Sequence, residues 1–107
     1  MNTWEVEFTA EAVKDRDALN SSVRNQVYKA IRKVSQNPLP KNEGGYGEPL
    51  GNKQGHNLTG LCKIKLLKLG IRVIYKAVRE NGVMKIIVIA ARADDEVYEI
   101  AAKRIDS

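Results

Sequence analysis

Between positions 61 and 67 the chain reads Leu61-Cys62-Lys63-Ile64-Lys65-Leu66-Leu67, an alternation of apolar and basic side chains. In an extended strand this places Lys63 and Lys65 on one face, about 6.6 Å apart, and Cys62, Ile64 and Leu66 on the other. The next apolar run, Ile71 to Val78, carries Arg72, Ile74 and Lys76 in one phase and Ile71, Val73, Tyr75 and Ala77 in the other. A turn closed at Gly70 sets Arg72 across from the lysine pair. Arg92 ends a later strand and Tyr98 falls in the first turns of the segment after it. Four cations and one phenol on the open face of a sheet suit a phosphodiester. Each residue also has a plain structural reading. The lysines fit solvent-facing strand positions, Arg72 and Arg92 can pair with Glu96 or Glu99, and Tyr98 can lie at the edge of the core.

The elements that must position these residues can be read from the same periodicities. Trp4, Val6 and Phe8 alternate with Glu5 and Glu7, the period of a half-buried strand. Thr9 is placed to cap a first helix through Ala12, Val13, Arg16 and Leu19. A second cap within Asn20-Ser21-Ser22 precedes the helical stripe Val23, Val27, Ala30, Ile31 and Val34, which Asn37-Pro38 stops. Residues 38–60 hold all three prolines and six of the eight glycines, and read as a long loop containing the single histidine, His56. Strands follow over 61–67, 71–78 and 84–91. The last is apolar on both faces and is expected to be central, and Asn81-Gly82 predicts a two-residue hairpin before it. Val97, Ile100, Ala101 and Ile105 give a terminal amphipathic helix. Asp94, Asp95 and Glu96 at its start fit capping and the helix dipole rather than metal ligation. The order βαα–loop–βββα predicts an α+β fold: one curved, mainly antiparallel four-stranded sheet with helices packed on one side.

With 107 residues, the chain is read as a single domain, 1–107, with an ordinary balance of 43% hydrophobic and 29% charged residues. No run approaches the roughly 20 apolar residues that span a bilayer. The start, MNTWEVEF, lacks the basic and apolar regions of a signal peptide, and Cys62 has no second cysteine with which to pair. A reducing, cytoplasmic setting is expected, with no membrane association. The net charge of +5 is unevenly spread: positions 61–92 contain eight basic residues against one acidic residue, between acidic ends. Such a surface suits nucleic-acid phosphates or an acidic protein. The motifs for zinc hydrolysis, phosphate-loop nucleotide binding and serine hydrolysis are absent, so no metal or small-molecule cofactor is expected.

Taken in order, Leu61-Cys62-Lys63-Ile64-Lys65-Leu66, Gly70-Ile71-Arg72-Val73-Ile74-Tyr75, Arg92, Glu96-Val97-Tyr98 and Ala101-Ala102-Lys103-Arg104-Ile105 resemble the RelE branch of the RelE/ParE toxin superfamily. The resemblance runs through nearly the whole chain. It implies a toxin that enters the ribosomal A site and cleaves translated mRNA, with a cognate antitoxin that wraps and neutralises it. Lys63 and Lys65 match the family's paired strand lysines, to which proton transfer and charge stabilisation are ascribed. Arg72 and Arg92 match its phosphate-contacting arginines, one of them a suggested general acid. Tyr98 matches a tyrosine that stacks on or orients a base. Asp94 and Asp95 depart from the pattern, standing where relatives often carry basic or polar residues, and the 38–60 segment is longer than in familiar relatives. The same superfamily includes ParE-type gyrase poisons, which generally lack the lysine and arginine set, and the charge pattern alone would serve a non-catalytic RNA- or protein-binding module.

The implied chemistry is metal-independent attack by the 2′-OH on the adjacent phosphorus. It needs a base for that hydroxyl, stabilisation of added negative charge and a proton for the 5′ oxygen. A lysine acting as base near neutrality needs its pKa lowered from about 10.4, a bias of roughly 4 kcal/mol against the charged form. A like charge about 7 Å away contributes about 2.4 kcal/mol at an effective dielectric near 20. Neighbouring cations are therefore expected to lower the lysine pKa, although charge stabilisation is the firmer role.

Overall fold

The computed structural model describes residues 3–53 and 55–105. Strand β1 (Glu5–Phe8) is followed by helices α1 (Ala10–Asp17) and α2 (Ser21–Val34), then a 3-10 turn at Lys41–Glu43. Strands β2 (Glu48–Lys53), β3 (His56–Leu66), β4 (Ile71–Val78) and β5 (Val83–Ala90) follow, and helix α3 (Asp94–Ile105) closes the order. The caps fall where the sequence puts them. Thr9 Oγ1 accepts from the Ala12 amide at 3.1 Å, and Asn20 Oδ1 from that of Val23 at 2.9 Å. Each satisfies a donor that the first helical turn would otherwise leave open.

One five-stranded sheet has the order β1-β5-β4-β3-β2, with β1 parallel to β5 and the other neighbours antiparallel. The α+β class and the inner position of β5 are as expected, but three details differ. First, the 38–60 segment is not one loop: it supplies β2 and the start of β3, which makes the fifth strand. Pro49 is tolerated because β2 is an edge strand, where a missing amide hydrogen breaks no ladder. Gly51 at φ +61° accompanies a register shift next to it. Second, the helices lie on both faces. On one, α1 and α2 bury Ala12, Val27, Ile31 and Val34 against Cys62, Val73, Tyr75, Met84 and Ile86. On the other, α3 buries Val97, Tyr98 and Ala101 against Leu50, Leu58, Leu61, Ile74 and Val88. Fully burying side chains of this size contributes about 1.5–3 kcal/mol each, so α3 is a fixed part of the sheet's second face. Third, β4 and β5 are joined by four residues, 79–82, with Gly82 at φ +63°, rather than by a two-residue turn.

The 38–47 segment is pinned from beneath. The buried Tyr75 hydroxyl donates to the Pro38 carbonyl at 2.7 Å, and burial pushes its phenol well above the usual tyrosine range. A side chain at Gly47 would collide with that hydroxyl and crowd Cys62 Sγ. At the other side of the sheet β1 stops at Phe8, and α1 takes over its pairing role. Asp15 Oδ2 accepts from the Ile89 amide at 3.0 Å and from Arg104 of α3 at 2.7 Å, while Arg104 also donates to the Ile87 carbonyl. This bracket ties both helical layers to β5.

Candidate active site

Register assembles the site. Glu48 of β2 lies opposite Lys63 of β3, and Lys65 of β3 lies opposite Arg72 of β4. The alternation expected from the sequence holds, with Lys63, Lys65 and Arg72 on the α3 face. A bulge in β5, where Ile74 pairs with Val88 but Tyr75 with Ile86, leaves Ile87 as an extra residue before the strand ends at Ala90, two residues short of Arg92. The chain then turns back over the sheet and starts α3 directly above the cations.

Asp94, the first residue of α3, occupies the centre. Its Oδ1 accepts from Arg72 Nε at 2.8 Å, and its Oδ2 lies 3.4 Å from Lys63 Nζ and 3.9 Å from Lys65 Nζ. Lys63 is only 7% exposed and also donates to the Tyr98 hydroxyl at 2.9 Å, with Glu48 Oε2 at 3.2 Å. Its ammonium sits 5.4 Å from the Tyr98 ring centroid. Arg72 is held further by donation from Nη1 to the carbonyls of Gly70 and Arg92, at 3.1 and 2.8 Å. Lys65, at 39% exposure, is the more open of the two lysines.

Lys63, Lys65, Arg72 and Tyr98 thus share one site around Asp94. Arg92 joins it through its backbone carbonyl. Its guanidinium is turned outward to Glu96, 3.3 Å away and one helical turn along. The ordinary partner for Arg92 is therefore the one seen, whereas Arg72 pairs with Asp94 instead of Glu96 or Glu99. The expected cationic face is tempered, because the three clustered cations meet two carboxylates, Glu48 and Asp94, leaving about one net positive charge. The capping reading of Asp94 is corrected as well, since its carboxylate turns onto the sheet. His56 begins β3 opposite Lys53, roughly 20 Å along the strand from Lys63. Burial pushes the Cys62 thiol up, which leaves it a poor nucleophile.

Protonation follows from these contacts. Burial works against the Lys63 charge, but its bonds to Tyr98 and Glu48 outweigh that penalty and hold it above the usual lysine value of 10.5. The expectation of a lysine pKa lowered by neighbouring cations is therefore reversed at Lys63, which remains an ammonium and no base. Partial burial likewise disfavours the Asp94 carboxylate, but Arg72 and Lys63 prevail and hold it below the usual 3.8. A lowered carboxyl stabilises the fold above its unfolded value, and that contribution is lost as pH falls through the folded one. The gap in urea midpoint between wild type and Asp94→Asn is expected to shrink below about pH 3.8. A raised ammonium stabilises at low pH and loses its contribution as pH rises through the folded value, so the corresponding gap for Lys63→Met should begin to narrow above about pH 10.5.

A strand-borne lysine pair and an arginine, roofed by a terminal helix that brings a tyrosine, define a small basic α+β domain with its cationic site built on a single sheet. No family model matches the chain. It is 31% identical over 103 residues to the mRNA interferase toxin RelE of Escherichia coli, covering 94% of this chain and 95% of that protein. The structure superimposes on a double arginine-to-alanine mutant of E. coli toxin RelE in the free state with a TM-score of 0.76, at 28% identity over 97% of this chain and 99% of that one. Against the same mutant in complex with an antitoxin RelBc peptide the TM-score is 0.69, at 27% identity, covering 96% and 98% of the two chains. The chain belongs to the RelE family of toxins.

Proposed function

We propose that this chain is the toxin of a toxin–antitoxin pair and an endoribonuclease that cuts translated mRNA in the ribosomal A site, without metal, by 2′-OH attack. The observation that carries the reading is the convergence of Lys63, Lys65 and Arg72 on a single oxyanion, the Asp94 carboxylate, within 2.8–3.9 Å. Donors arranged for one anion in a partly enclosed site can hold another.

In the reaction the scissile phosphate takes the donors that now serve Asp94. Arg72 and Lys63 hold its non-bridging oxygens. Lys63 stays charged and is held at the seat by its bond to Tyr98, whose ring is packed in the core and so positions the ammonium rather than stacking on a base. As the 2′ oxygen attacks, the phosphorus gains a second negative charge, and Lys65 at the mouth of the site is placed to neutralise it. Proton removal from the 2′-OH and proton delivery to the 5′ oxygen fall to groups at the open side, among which Lys65 and the outward Arg92 remain candidates. E. coli RelE mRNA interferase is the relative that supports the substrate class, and the RelE mutant bound to an antitoxin RelBc peptide supports a cognate antitoxin. An acidic antitoxin segment would suit the basic 61–92 stretch, and action on ribosomes places the toxin in the cytoplasm.

Inducible expression followed by toe-printing of cellular mRNA tests the reading. Codon-phased cuts within translated frames are the expected result. DNA damage with intact transcripts would replace it with a gyrase poison, and neither outcome with a binding module.

A further inference from the structure

Asp94 is the feature of the site that a phosphate-binding role does not ask for. It brings one negative charge, the same as a phosphodiester, into the middle of three cations. It meets them as a ligand would, one oxygen on Arg72 Nε and the other shared by the two ammonium groups. It comes from the first turn of α3, whose backbone is anchored by the buried Val97, Tyr98 and Ala101. The carboxylate itself lies at the mouth, 35% exposed, so rotation of one short side chain empties the seat without moving the helix. Asp95, next along, is exposed and carries the same charge on the solvent side of that turn.

We propose that the Asp94 carboxylate is a resident occupant of the substrate phosphate seat, and that it sets specificity by making every incoming phosphate compete for Lys63, Lys65 and Arg72. This rests on the nuclease reading for what the substrate is, but the competition itself concerns only the anion. A free RNA strand brings one diester to the seat and little else to offset the lost Asp94 contacts. An RNA already held at many points arrives at high effective concentration and displaces the carboxylate. The residue thereby separates loose RNA from RNA presented in a fixed position. Protonation does not open the seat near neutrality, since the carboxyl is held below its usual range.

The test compares the full-length wild type with Asp94→Asn, which preserves size, and with Asp95→Asn, which makes the same change of net charge one residue away. Dissociation constants are measured for inorganic phosphate and for a ten-nucleotide uridine RNA at two salt concentrations. Asp94→Asn should bind both about tenfold more tightly, the gain expected from removing a unit charge a few ångströms from the ligand after salt screening. Asp95→Asn should stay within about twofold of wild type. Unchanged or weaker binding by Asp94→Asn, or an equal gain in both variants, would overturn the proposal. Should Asp94→Asn not fold, titrating phosphate into wild type decides the matter: the Asp94 carboxyl carbon resonance must shift while that of Asp95 stays, and a still Asp94 signal sinks the idea. Cleavage of translated mRNA by the wild type is scored separately. Intact transcripts alongside tighter anion binding by Asp94→Asn would refute the nuclease reading and leave the occupied seat standing.

Discussion

Lys65→Ala is expected to slow cleavage of ribosome-bound mRNA by about 10²–10³-fold, the usual loss when one donor aimed at developing charge is removed. Its ribosome affinity should change by less than about fivefold. The reason lies in how loosely Lys65 is engaged in the resting site. Its ammonium is 3.9 Å from Asp94 and 39% exposed, whereas Lys63 is buried and directly bonded to Tyr98. An ion pair this open contributes about 0.5 kcal/mol or less to stability, so the variant should fold normally. Single-turnover cutting on programmed ribosomes, set beside competition binding, separates the two effects. Equal losses in rate and affinity would mean that the lysine only holds RNA.

Lys63→Met should lose both activity and stability. Among the described residues, Lys63 is the buried charged side chain, only 7% exposed. Removing its charge leaves the buried Tyr98 hydroxyl without its donor and leaves Glu48 facing Asp94 across an apolar gap. Glu48 can turn to water and Asp94 keeps Arg72, so the cost is below that of a fully buried broken pair, at about 2 kcal/mol. For a domain of this size that lowers Tm by roughly 10 °C. Adding Glu48→Gln should restore part of the loss, with a coupling of at least about 0.5 kcal/mol in a double-mutant cycle. A Lys63→Met protein as stable as wild type would show that Lys63 is not the cation that holds Glu48, Asp94 and Tyr98 together.

The contrast between these lysines also shows what could be read from the chain. Period-two alternation orders side chains by face, so the grouping of Lys63, Lys65 and Arg72 follows from the 61–67 and 71–78 patterns and the Gly70 turn. The helix caps at Thr9 and Asn20 are similarly local. Strand β2 is hidden because Pro49 and Gly51 are poor strand formers, and only its place at the sheet edge makes them tolerable. The opposite-face packing of α3 has a signal in β5, which is apolar in both phases, but the number of helices on each side depends on the crossovers. Glu48 and Asp94 are missed for a deeper reason. A carboxylate 15 or 31 positions from its cation gives no periodic sign, and their pairing exists only once β2 is in register and α3 has turned back over the sheet.

The parallel pairing of β1 with β5 places Glu5 beside Val83, the first strand against the last. Hairpins β2–β3 and β3–β4 can form between near neighbours, but β1 must wait for a loop closure across most of the polypeptide. Until then one flank of β5 presents bare amides and carbonyls beside the Ile86 and Ile89 side chains, a template for another unfinished molecule. Docking of the N-terminal strand is therefore the contact that covers this flank of β5 and removes an open sheet edge.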